Sequence, residues 1–370
     1  MPAMKAAAPT LDELRRYAIA RSLFKPTTLP RAISKLGFVQ ADPMRAPARA
    51  QDLILRHRVA DYRAGELEQR YARLKIEEDC FVNYGFVPRD WLALLHPRTP
   101  RKSWDTATHE RAQTLLAAVR ERGPTHPKSL LEEFAHHGRM PGYWGGELNV
   151  STQLLDGLHY RGHLRVKRRD QGTRIYEAIS HPEQDQSEAA RLERAALLLD
   201  RVVALYAPLP SASLGYLTSL LGYGVPHLRA EARQAFSKAA KTRYAHAVVE
   251  GRTWYWPADE NPRSRRHAPD EQLRLLAPFD PVVWDRRRFE LLWGWEYKFE
   301  AYVPAEKRKM GHYALPMLWG EEMLGWANLR LDKGRLKHEL GFAGVKPKGA
   351  AFKLALAEEL ERMRLFLGCN

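Results

Sequence analysis

Apolar positions recur at helical spacing three times within the first sixty residues. Leu11, Leu14, Ala18 and Ser22 mark one stripe, residues 29–36 a second short helix, and Ala50, Leu53 and Ile54 a third over about 46–58. Three short helices with tight connections predict a helix-turn-helix unit. Helical stretches over about 65–71 and 89–96 lead to a longer helix over about 105–121, which Gly123-Pro124 ends. The pattern then changes. Short helices over about 129–134 and from Asn149 onward, the latter with Leu154, Leu155 and Leu158 on one face, precede residues 164–176. There apolar residues alternate with basic ones on either side of Gly172, which is a hairpin signature.

The same order returns further on. A charged linker precedes a long helix over about 189–206, broken by Pro208 and Pro210. A short helix over about 213–221 follows, then a basic one over about 226–238, a strand over about 244–250, the Gly251 turn and Thr253-Trp254-Tyr255-Trp256. Helix, helix, hairpin is the order of a winged helix. Past residue 266 aromatic residues become dense. Strands are expected over about 289–293, 297–303, 312–318 and 323–331, as a small antiparallel sheet or barrel covered by a terminal helix over about 350–367. The aromatics there are expected to be core before they are base-stacking platforms. The fold class expected is thus α+β. Winged-helix domains are placed at 11–122, 123–180 and 189–258, and a C-terminal β-barrel or antiparallel sheet at 270–370.

Charge sharpens this picture. The chain has 370 residues with 59 Lys+Arg against 44 Asp+Glu, a net charge of +15. Such an excess suits a polyanion: nucleic acid first, an anionic membrane surface second. No apolar run approaches the ~20 residues needed to span a bilayer, and Met1 to Thr10 lacks the apolar core of a signal peptide. The two cysteines, Cys80 and Cys369, stand far apart without a Cys-x-x-Cys partner, which excludes a zinc-finger array and gives no disulfide framework. A cytoplasmic chain is expected. No phosphate loop, nucleophile elbow or deaminase zinc motif is present, and His136-His137 lack further ligands at metal spacing, so no metal or cofactor is expected.

The strongest chemical signal is Gln40-Ala41-Asp42. On an extended strip, alternate side chains share a face, so an amide that can orient a water would lie beside a carboxylate that can activate it. The plainer alternative is that Asp42 caps a helix following Pro43. Candidate phosphate contacts are Arg45 and Arg49 beside the tripeptide, and Lys167, Arg168, Arg169 and Arg174 in the first basic hairpin. Lys307, Arg308 and Lys309 in a later turn, with His312 and Tyr313 after it, complete the set.

Two long strings stand out near the C-terminus: Leu276 to Arg286 followed by Trp293-Gly294-Trp295-Glu296-Tyr297, and Tyr302 to Pro316. Together with the Gln-x-Asp tripeptide and the winged-helix units between, they resemble the bacterial YcaQ/AlkX branch of the AlkZ family of DNA glycosylases, over nearly the whole chain. The resemblance implies tandem winged helices plus a C-terminal β-barrel around duplex DNA. It also implies hydrolysis of the N-glycosidic bond of N7-alkylated purines and unhooking of interstrand crosslinks. The AlkZ branch carries Gln-x-Gln at this motif, which aligns the chain with the YcaQ-like branch. The site residues expected are then Gln40 and Asp42, and the partner is double-stranded DNA bound by a monomer. A different class of function, a non-catalytic winged-helix regulator or repair scaffold, would show sequence preference and release no base.

Overall fold

The computed structural model describes residues 7–141 and 147–369. Contacts divide the chain into two units, neither contiguous in sequence. One comprises the chain up to Glu66, Leu199–Thr218 and everything from Ala235 onward; the other comprises Leu67–Leu198 and Ser219–Gln234.

In the first unit the N-terminal helix Leu11–Ser22 opens with a full capping box between Thr10 and Glu13. The helix Leu29–Leu36 ends at Gly37, whose φ of 75° suits glycine. The third helix is shorter than its apolar spacing predicts: it runs Ala50–Leu55. The C-terminal part holds a four-stranded antiparallel sheet in the order Leu273–Leu275, Leu315–Trp319, Glu322–Asp332, Arg335–Phe342. This sheet is open, so the expectation of a barrel is corrected to an antiparallel sheet. The terminal helix Ala350–Leu367 lies against it as expected, with the Phe352 ring 5.8 Å from Trp319 and 6.0 Å from Phe342.

Two expected strands are absent. Residues 286–293 form a helix, Arg286–Trp293, because Asp285 caps it through hydrogen bonds from the Arg287 and Arg288 amides and Gly294 ends it in the left-handed conformation. Residues 297–303 form no strand and belong to a loop organised around Glu300. The aromatic density that suggested strands is core instead. Phe289 and Tyr297 sit with Ile19, Leu23, Val282 and Val283 in one buried cluster against which Trp293, Trp295 and Trp326 pack.

The second unit contains the helices Thr106–Arg122 and Val150–Tyr160 and the expected basic hairpin Leu164–Asp170 with Thr173–Ala178. It also contains a hairpin the sequence reading missed, Ile76–Cys80 with Tyr84–Pro88. The first of those strands reads Ile-Glu-Glu-Asp-Cys, and its three acids are all buried. Each is neutralised by arginine: Glu77 by Arg89 and Arg165, Glu78 by Arg169, and Asp79 by Arg98. Burial was invisible to a hydrophobicity pattern because these carboxylates are buried as ion pairs.

The helix Glu188–Tyr206, the helix Ser211–Gly224 and the hairpin Tyr244–Val249 with Arg252–Pro257 follow in the order expected. The basic helix over 226–238 is not one regular element. It breaks into a 3-10 turn Pro226–Leu228, an α-helix Arg229–Gln234 and a π-helical turn Ala235–Ala239. Among the described residues no helix is long and apolar enough to cross a membrane.

Candidate active site and nucleic-acid interface

Gln40 ends the short strand Val39–Gln40, and the chain from Ala41 to Arg45 has no regular secondary structure. No helix starts at Pro43, and the next one, Ala50–Leu55, has Arg49 at its N-cap. Asp42 therefore caps no helix. Its Oδ1 instead accepts the Met44 backbone N–H at 2.9 Å, closing an Asx turn. The Asp42 N–H donates to Oε1 of the buried Gln51 at 3.3 Å, which ties the motif to the helix behind it. Asp42 Oδ2 has no hydrogen-bond partner among the described residues. The side chain is half-buried, and burial pushes its pKa above the usual aspartate range, while the Met44 N–H pulls the other way. Such a carboxylate is a stronger base than a solvated one.

Gln40 is buried, and its Oε1 accepts the indole N–H of Trp284 at 2.7 Å. Trp284 lies in the first of the two C-terminal strings, Leu276 to Arg286. The fold brings it to the tripeptide.

A cleft of about 580 Å³ lies beside the motif. Arg45, Ala46 and Pro47 form one wall; His312 and Tyr313, with the strand residues Asn328, Arg330 and Lys337, form the other. Gln40 and Asp42 are not themselves among its lining residues; they stand just ahead of the Arg45 segment. Asp42 is nonetheless electrostatically felt there. The buried Tyr313 hydroxyl is raised well above its ordinary pKa, by burial first and by the Asp42 charge second. Among the described residues that hydroxyl has no hydrogen-bond partner.

The loop carrying the expected phosphate contacts is built around one carboxylate. Glu300 accepts the backbone N–H groups of Lys309, Met310 and Gly311 at 2.9, 2.7 and 3.2 Å. Burial would raise its pKa, but these N–H groups outweigh it and hold the carboxyl below the usual glutamate range. Asn328 Nδ2 closes the loop from the sheet by donating to the Met310 carbonyl at 2.6 Å. Gly311 is required here: its φ is 115°, and a Cβ would stand 2.4 Å from Asn328 Oδ1. Lys307, Lys309 and His312 are exposed on this loop, whereas Arg308 turns back to donate to the Val303 carbonyl.

Two cations that the sequence reading missed line the cleft. Arg330 and Lys337 are exposed and face each other directly across adjacent strands. Like charges opposite one another destabilise a sheet, so the pair marks a place where an anion would be stabilising. The strand Arg335–Phe342 was not anticipated, which hid this pairing.

In the second unit the hairpin cations serve different ends. Arg169 makes a bidentate ion pair with the fully buried Glu78 at 2.6 and 2.7 Å. Arg174 bonds Asp156 at 2.9 Å and lies over the Tyr84 ring. Lys167 and Arg168 are more exposed and pair with Glu177 and Asp170 near the surface. Arg45 is exposed, while Arg49 is half-buried at its helix start.

Residues 33–366 match the family model described as DNA glycosylase AlkZ-like. Among solved structures, the chain is similar to the Streptomyces sahachiroi DNA glycosylase AlkZ with a TM-score of 0.59 and 14% identity, over 98% of both chains. At that identity the likeness speaks to the fold.

Proposed function

Because the chain belongs to the AlkZ-like family of DNA glycosylases, we propose that it is a monofunctional glycosylase that releases N7-alkylated purines from duplex DNA and unhooks crosslinks joined through such bases. An N7-alkylguanine is already cationic. When the bond from N9 to C1′ breaks, the electron pair goes to the base and neutralises it, so no general acid is needed. What remains is a sugar cation that water must capture. The water oxygen bonds C1′ while Asp42 takes its proton and later returns it to solvent, leaving an abasic site and a neutral alkylguanine. Positioned base catalysis of this kind is worth roughly 10²–10⁴-fold.

The observation that carries the reading is the state of Asp42. One carboxylate oxygen is fixed by the Met44 N–H, the other has no partner among the described residues, and the group is half-desolvated beside a cleft rich in cations. Before cleavage the negative carboxylate also opposes the positive charge growing on the sugar. Arg45, Lys307, Lys309, His312, Arg330 and Lys337 supply a phosphate track around it. Lys167 and Arg168 extend that reading to the hairpin of the other unit, where the helix–helix–hairpin order favours a winged helix. Aspartate at the third motif position favours the YcaQ-like branch.

The test is incubation with duplex DNA carrying a single N7-methylguanine, followed by cleavage at abasic sites. The account expects strand breaks at the lesion and none in undamaged DNA. Sequence-selective binding without base release would instead identify a regulator.

A further inference from the structure

Gln40 is the one member of the motif whose orientation can be settled by chemistry alone. An indole nitrogen is only a donor, so the atom of Gln40 that meets Trp284 Nε1 must be the carbonyl oxygen. The amide nitrogen then points the other way, and among the described residues it has no acceptor. Trp284 itself is half-buried and held at several points. Its ring centroid is 5.5 Å from that of the buried Tyr206 and 6.4 Å from that of Tyr216, to which it is nearly parallel at 27°. Its backbone N–H donates to the Asp280 carbonyl at 2.8 Å, and the next residue, Asp285, caps the helix that follows. An indole locked in this way leaves the amide a single orientation.

We infer that Trp284 is a positioning residue that fixes Gln40 as a hydrogen-bond donor toward a sugar or phosphate oxygen of the damaged nucleotide, rather than as a partner of the attacking water. This deepens the glycosylase reading and rests on it. A donor placed on the water oxygen would occupy a lone pair and weaken the nucleophile, whereas the open Asp42 oxygen is an acceptor suited to the water proton. The two motif residues thus divide the work by polarity: Asp42 accepts from water, and Gln40 donates to the nucleotide.

Two substitutions separate this from a packing role. Trp284→Phe keeps the stacked ring and removes only the N–H. Gln40→Glu keeps an oxygen for the indole and removes the outward donor. Single-turnover base release should fall roughly 3- to 10-fold in Trp284→Phe, the loss of about one hydrogen bond, and at least about as far in Gln40→Glu. In a Gln40→Ala background, Trp284→Phe should cost nothing further, because both changes remove the same amide orientation. A second readout is independent of activity. The indole N–H resonance of Trp284, identified as the one missing in Trp284→Phe, should shift and exchange faster in Gln40→Ala but stay protected in Gln40→Glu.

Wild-type turnover by Gln40→Glu, or additive losses in the double variant, would overturn the donor assignment. An indole signal unmoved by Gln40→Ala would remove the hydrogen bond itself. If the wild-type protein releases no base, the glycosylase reading fails, and the resonance still decides whether Trp284 orients Gln40.

Discussion

Arg58 and Asp280 form a bidentate ion pair at 2.8 and 2.9 Å with both side chains fully buried. Arg58 spends its remaining donors on the Ser22 and Ile54 carbonyls and the Ser22 hydroxyl. Asp280 accepts the Val282 N–H as well, and its carbonyl accepts the N–H of Trp284. A cation from the N-terminal segment therefore fixes the turn that presents Trp284 to Gln40. Every polar atom of the pair is satisfied, which is the condition under which a buried ion pair persists.

Removing one partner should be costly. Asp280→Ala leaves Arg58 charged in a dry interior, and such losses run to about 3–5 kcal/mol. The urea midpoint should fall accordingly, and base release should fall with it because Trp284 loses its anchor. A shift in the midpoint equivalent to less than ~1 kcal/mol would mean that the pair does not hold this turn.

The two groups of cations should behave differently. Arg330→Ala with Lys337→Ala relieves a like-charge pair across the strands, so stability should hold or rise slightly, by up to about 0.5–1 kcal/mol. Affinity for duplex DNA should drop, and the dependence of log K on log salt should flatten by about one to two counterions. Arg169→Ala should do the reverse. It removes the bidentate partner of the buried Glu78, leaving Arg174 3.7 Å away and the Tyr84 hydroxyl donating at 2.8 Å, and should cost about 1–3 kcal/mol with little change in salt slope. Affinity and urea titrations on both variants check the contrast; an unchanged slope in the double variant would take that strand pair out of the interface.

Much of this was legible in the sequence, for reasons that differ by element. The terminal helix and the two aromatic or basic hairpins announced themselves because one face of each is apolar and turn residues bound them. The helix Arg286–Trp293 read as a strand because its caps, Asp285 and Gly294, were outweighed by the aromatic density around it. The strand Ile76–Cys80 was hidden because three of its four buried residues are carboxylates, spread over both faces. Gln40 and Asp42 stood out as a motif, yet their partners did not. Trp284 is 244 residues from Gln40, and nothing local marks a tryptophan as the donor to a distant amide. The cation pair Arg330 and Lys337 depends on strand register, which a one-residue slip would undo.

The pH dependence follows from the Asp42 environment. Burial raises its pKa, so the acid limb of base release should have an apparent pKa above that of an ordinary aspartate. A carboxyl whose pKa is raised by folding costs stability where it is ionised. That cost is full above the folded-state value, shrinks as the pH falls through it, and vanishes below the unfolded value. Asp42→Asn keeps the oxygen that accepts from Met44 and removes the charge. It should therefore be at least as stable as the wild type at neutral pH, with the difference closing toward acid. Chemical denaturation at several pH values gives the answer, and an asparagine variant clearly weaker at neutral pH would contradict the sign.

Asp42→Asn also tests the central claim most directly. Single-turnover release of N7-methylguanine from duplex DNA, measured with enzyme in excess, should fall at least ~100-fold, with DNA affinity unchanged or higher because a charge that repels phosphate is gone. Release near the wild-type rate by this variant would contradict the assignment of Asp42 as the group that activates water and opposes the sugar cation.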